Sequence, residues 1–165
     1  MDLKEQNWRN FITHHVRDWQ GIWTRYSPQG EIIESFKSLR SFRTNPEQTE
    51  LFQTNCYAYD HSKVEEKKWH SYKQDQVFSD GIMHPAFPAM RSYFLKQGAA
   101  VWSRKILEPG SKFLPAEFFF RHEEIRHSVG IIYNTDGSLM KVASIREDAV
   151  NFPSKYWSQE INLYI

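Results

Sequence analysis

Seven histidines, one cysteine and a few arginines set among aromatic residues are the reactive side chains of this 165-residue chain. The densest cluster is RHEEIRH, Arg121 to His127. Its spacing is not that of a zinc-binding helix, because the second histidine falls five residues after the first instead of four. On a strand, positions five apart face opposite sides, so surface and turn positions are expected for both. His14 and His15 are adjacent and cannot share a helix face, and His61, His70 and His84 are scattered. No metal site is expected. Cys56 is the only cysteine, which excludes an intramolecular disulfide and fits a reducing compartment. It reads as a small, partly buried residue. Glycine-rich phosphate loops, Gly-x-Ser-x-Gly elbows and Cys-x-x-Cys pairs are absent from the sequence. No residue is therefore assigned a catalytic role, and the cofactor is left open.

The aromatic residues suggest binding instead. Six Trp, eight Tyr and twelve Phe make up 16% of the chain. They fit either a β core, since strands favour aromatics, or a cavity lined with rings. The candidate lining residues are Phe36, Tyr57, Trp69, Trp102, Phe119 and Tyr133. Arg121 alternates in phase with Phe119 and is the candidate polar anchor, with Arg25 and Tyr133 as further polar groups. An arginine facing into a barrel needs a partner or an anionic ligand group. DGIMHPAFPAM, residues 80–90, reads as a core-covering loop or as a lid over a barrel mouth.

These residues need elements to position them. Trp8, Phe11, Ile12, Val16 and Trp19 recur at helical spacing. Asp2 with Glu5 forms a capping-box pattern, so one amphipathic helix is predicted over about residues 3–17. From Trp19 the period changes to two. WQGIWTRYS, EIIESFKSLRSFRT and TELFQTNCYAYD read as strands, the first two joined by the turn SPQGE. EEKKWHSYKQD and QVFSDGIMH read as a fourth and a short fifth strand, with EEKK a solvated edge. PAFPAM, with two prolines, is expected to be irregular. RSYFLKQ and AAVWSRKI form a hairpin about Gly98, and residues 116–148 give three more strands, the last two joined at Asn-Thr-Asp-Gly. Nine or ten antiparallel strands with short connections have exposed edges unless they close, so a barrel is expected. Trp19, Gly21 and Trp23 share one strand face, and the glycine lets something pack closely between the two rings.

The helix followed by Gly21-Ile22-Trp23 resembles the Gly-x-Trp signature of lipocalins and the wider calycin superfamily. WQGIWTRYSPQGEIIES together with IIYNTDGSLMKVASIRED resembles a family of uncharacterised calycin-like proteins from cyanobacteria and plastids, over roughly residues 8–148. The resemblance implies a mainly β fold: a single antiparallel up-and-down calycin-like β-barrel with one short N-terminal helix. Residues 1–148 would form the barrel and 149–165 a C-terminal tail or closing strand. In that family a second, related domain often follows the barrel. In lipocalins an arginine packs over the signature tryptophan, and Arg146 is the expected counterpart, over a largely buried Trp23 or over Trp19. The superfamily also holds phycobiliprotein chromophore lyases and nitrobindin-like haem proteins.

The net charge of +1 gives no electrostatic case for nucleic acid or an anionic membrane. No apolar run approaches the roughly 20 residues of a membrane span, and the N-terminus lacks a secretory apolar core. A cytoplasmic protein is expected. The leading expectation is a binding protein for a hydrophobic small molecule: a tetrapyrrole, carotenoid, isoprenoid or fatty acid. One alternative is a chromophore lyase or isomerase/cyclase using the same pocket. Another is a scaffold whose barrel is filled by its own side chains. A protein partner is left open.

Overall fold

The computed structural model describes residues 2–59, 64–68, 71–108 and 113–150. Among the described residues one α-helix, α1 (Leu3–His15), precedes twelve strands: β1 (Asp18–Tyr26), β2 (Ile32–Thr44), β3 (Glu50–Ala58), β4 (Val64–Lys68), β5 (Tyr72–Lys73), β6 (Val77–Phe78), β7 (Gly81–His84), β8 (Phe87–Phe94), β9 (Ala100–Arg104), β10 (Phe113–His122), β11 (Ile125–Tyr133) and β12 (Leu139–Asp148). All pairings are antiparallel, along the path β4-β3-β2-β1-β12-β11-β10-β9-β8-β7-β6, with β5 on β3. The fold is the expected calycin-like barrel.

Hydrophobic alternation sets the inner face. On β2, Phe36, Ser38, Arg40 and Phe42 are buried while Lys37, Leu39 and Arg43 are exposed. On β12 the inward set is Ala143, Ile145 and Glu147. Closure comes from the short segment after β4. β5 hydrogen-bonds to β3, a single 3-10 turn follows, and β6 pairs with β7 at the other end of the sheet. The chain itself therefore spans the seam, and β5 lies against β7.

Helix α1 covers one end of the barrel. Phe11 stacks on Phe94 with ring centroids 4.0 Å apart, and meets Phe42, Tyr72 and Trp8 edge to face. Asn7 acts as a strand surrogate: its Nδ2 donates to the Ser92 carbonyl and its Oδ1 accepts the Phe94 N–H. Asn10 Nδ2 donates to the Phe94 carbonyl, and Trp8 Nε1 to the Gln48 carbonyl. Backbone groups left open by the ends of the ladders are satisfied in this way.

The structure differs from the sequence expectations in several places. The helix ends at His15, since Val16 is already extended, and Asp2 makes no side-chain cap; Glu5 pairs with Arg9 instead. The described residues of EEKKWHSYKQD fall in β4, β5 and the 3-10 turn, and QVFSDGIMH folds into the hairpin β6–β7. PAFPAM is not irregular. It enters β8 through a register shift beside His84, where Pro88 need not donate to a ladder.

Candidate functional site

Inside the barrel lies a cavity of about 330 Å³. Its wall takes one parity of residues from each of the first three strands: Trp23 and Arg25 from β1, Arg40 and Phe42 from β2, Gln53, Asn55 and Tyr57 from β3. Tyr72, His84, Phe87, Met90, Phe94 and Trp102 continue around, Glu117 and Phe119 come from β10, and Arg126 and Ile132 from β11. Phe11 and His15 of α1 complete it.

The ring wall is internally packed. Trp23 stacks on Phe36 at 5.7 Å, and both meet Tyr57 edge to face. Trp102 contacts His84 at 4.8 Å, Tyr72 and Phe94. His84 Nδ1 accepts the Ala86 N–H, and burial lowers its pKa to about 4, so the ring is neutral. A polar row runs along β3: Tyr72 Oη donates to Gln53, Gln53 to Asn55, and Asn55 to Tyr57 Oη.

At the α1 end sits a buried ionic cluster. Glu147 is 0% exposed. It accepts Arg40 Nε and Nη2, both at 2.6 Å, and Arg126 Nε at 2.7 Å. Burial would raise its pKa, but Arg126 and Arg40 outweigh burial and hold it below the usual carboxylate value. Glu117 accepts Ser128 Oγ at 3.0 Å and stands 3.7 Å from Arg40. Burial wins there, and its pKa is raised. Arg126 Nη1 faces His15 Nδ1 at 3.1 Å. Burial, then Arg126, pushes His15 well below its ordinary value, so it stays neutral and accepts that hydrogen bond.

Gly21 makes this cluster possible. It lies opposite Glu147 in the β1–β12 register, and a Cβ there would come within 2.6 Å of the Glu147 side chain and 2.5 Å of the Arg146 carbonyl. What packs between Trp19 and Trp23 is thus a carboxylate side chain.

The arginine expected over a tryptophan is not Arg146. Register sets Arg146 beside Ile22 and His127, on the parity opposite to Ile145 and Glu147. Arg126 lies over Trp19 at 4.2 Å, and Arg40 over Trp23 at 5.5 Å. Trp19, 0% exposed, is the buried plug, whereas Trp23 is half-buried on the cavity wall.

Of the candidate lining residues, Tyr57, Trp102 and Phe119 line the cavity, and Phe36 stands behind Trp23 and Tyr57. Trp69 lies outside the described residues. Tyr133 is on the opposite parity from Ile132, which lines the cavity. Arg121 has the inward parity but lies beyond the cavity, packed against Gly98 and facing His14 at 3.3 Å. Arg25 lines the cavity and pairs with Glu34. Residues 80–90 form the β7–β8 hairpin, which delivers His84, Phe87 and Met90 to the wall. Cys56 alternates with Asn55 and Tyr57 and so falls on the outer face. No group of three or more metal-ligating side chains occurs among the described residues. Sequence reading missed Arg40, Arg126, Glu117 and Glu147. The available signal was parity: Arg40 lies in phase with Phe36 and Phe42, and Glu117 with Phe119.

Fold and site together define a calycin-like barrel with a ring-lined internal cavity and a buried ion cluster at one end. The chain belongs to the DUF3598 family, matching its N-terminal domain, a domain of unknown function, over residues 4–152. A solved DUF3598 protein of unknown function from Nostoc punctiforme superposes with a TM-score of 0.66 at 18% identity, covering 88% of this chain and 47% of that one. The chain thus spans about half the length of that relative. An S-type phycobiliprotein lyase, CPES, from Guillardia theta superposes with a TM-score of 0.56 at 10% identity, over 92% of this chain and 99% of that one. No curated protein matches significantly. None of the helices among the described residues is long and apolar enough to cross a membrane.

Proposed function

We propose that the barrel binds an apolar or amphipathic small molecule, with a tetrapyrrole as the first class to test. The observation that carries this is the cavity: a space of about 330 Å³ walled largely by aromatic side chains. Ligand pockets of roughly 300–1,000 Å³ with apolar walls and a few polar groups are the rule for small molecules. The volume speaks against a barrel filled by its own side chains. The choice of tetrapyrrole leans on fold likeness to the phycobiliprotein lyase, which is an analogy at the level of fold. Carotenoids, isoprenoids and fatty acids are the other classes.

The test is tryptophan fluorescence titrated with linear tetrapyrroles, carotenoids and fatty acids. Trp23 and Trp102 both line the cavity and report occupancy. Saturable quenching by one class supports the reading, and silence across the panel overturns it.

A lyase or isomerase acting in the same cavity is favoured by one observation. Glu117 is a half-buried carboxyl with a raised pKa on the cavity wall, the environment of a general acid. Turnover of a bound ligand, lost in Glu117→Gln with binding retained, would establish it. A lyase would also need a protein acceptor for the ligand.

A further inference from the structure

Arg126 has one corner of its guanidinium unused. Nε donates to Glu147 and Nη1 to His15, while Nη2 has no hydrogen-bond partner among the described residues. The residue is 2% exposed and contributes to the cavity wall. A buried donor left unpaired is costly, and more so when it is charged. We propose that this corner of Arg126 is the seat for a carboxylate carried by the cavity's ligand. This rests on the binding reading above and names the polar end of the ligand.

The nearest carboxylates of the cluster are already engaged. Glu147 already takes three donors from Arg40 and Arg126. Glu117 is turned to Ser128, and its raised pKa shifts it toward the neutral acid. His15, on the other side, is neutral. Nη2 is thus left without an acceptor among the described residues, and a ligand carboxylate would give it one in a charge-assisted hydrogen bond. The apolar body of such a ligand would lie against Trp23, Tyr57, Tyr72, His84, Phe87 and Trp102. Fatty acids and the propionates of linear tetrapyrroles share this chemistry.

The experiment compares acids with their neutral esters on the wild-type protein by tryptophan fluorescence: decanoate against methyl decanoate, and biliverdin against its dimethyl ester. In at least one pair the acid should bind about tenfold or more tighter, the worth of one charge-assisted bond, and that pair identifies the source of the carboxylate. Binding of acid and ester with equal affinity overturns the seat but leaves the binding reading standing. Failure of all four compounds to bind overturns the seat, and the binding reading falls with it when the carotenoids are silent too. Arg126→Lys, checked for folding by circular dichroism, keeps a charge for Glu147 but not the guanidinium fork. Its acid-to-ester ratio should fall toward one, and a folded variant with the ratio intact also overturns the seat. Because the ester comparison needs no variant, it decides the matter even if that substitution unfolds the barrel.

Discussion

The two glutamates of the cluster respond to pH in opposite directions, Glu147 because of its neighbours and Glu117 because of burial. Glu147 is held below its ordinary value of 4.5 by Arg126 and Arg40 against the pull of burial. Its contribution is therefore complete above the unfolded value and is lost as pH falls through the lower folded value. Removing its charge strands two buried guanidiniums, so Glu147→Gln should cost about 3–5 kcal/mol. Urea midpoints measured from about pH 7 down to about pH 3 check both points. A variant as stable as wild type at neutral pH would deny the cluster its structural role. Burial raises Glu117 instead, so the folded chain holds that proton to a higher pH than the unfolded chain, whose value is near 4.5. Its ionisation thus costs the folded state stability as pH rises through the raised value. Glu117→Gln can still accept Ser128, so it should gain on wild type with rising pH in the same urea series. A gap between the two that does not change with pH would refute the raised value. These residues escaped the sequence reading for a physical reason. Arg40 and Glu147 are 107 positions apart, and only the pairing of both strands with β1 brings them together.

Strand β1 shows what could be read from the sequence and what could not. Period-two spacing put Trp19, Gly21 and Trp23 on one face, and the structure has them so. The close approach over Gly21 was also readable, since only a residue without Cβ permits it. Which neighbour makes that approach was not, because it depends on β12 register, where a one-residue slip exchanges Arg146 for Glu147. Gly21→Ala should therefore destabilise by about 1–3 kcal/mol, as backbone and not only a flexible side chain must yield. For a chain of this size that is a fall in Tm of roughly 2–4 °C per kcal/mol, and an unchanged Tm would mean the β1–β12 contact is looser than it stands here. The same reasoning separates the two tryptophans. Trp19→Ala should cost about 3–5 kcal/mol as a fully buried large-to-small change. Trp23→Ala, on the cavity wall, should cost less and weaken ligand binding more, as paired denaturation and titration would reveal. Trp102 lines the cavity too, but it is only 8% exposed and packed on Tyr72, His84 and Phe94. Its removal should affect folding and binding together.

For the whole molecule, the cavity is where most of the elements meet. Its wall draws on β1, β2 and β3 from one arm of the sheet and on β7 to β11 from the other, with α1 below and β5 at the seam. A ligand seated there touches both arms of a sheet whose ends are joined only by a short stretch of chain. Seam opening is the local unfolding that such a ligand opposes, since few ladder hydrogen bonds hold that region. Binding should therefore stabilise the fold as a unit by mass action: at a free ligand concentration of about 100 times Kd the gain is about 2.7 kcal/mol, or roughly 5–10 °C in Tm. Hydrogen exchange should slow most at β5, β6 and β7, where protection without ligand is lowest. The check is a thermal melt with and without the ligand found by fluorescence, followed by exchange on the same samples. A rise in Tm with no added protection at the seam would locate the ligand on the outer face of the barrel, and the cavity would lose its claim to be the site.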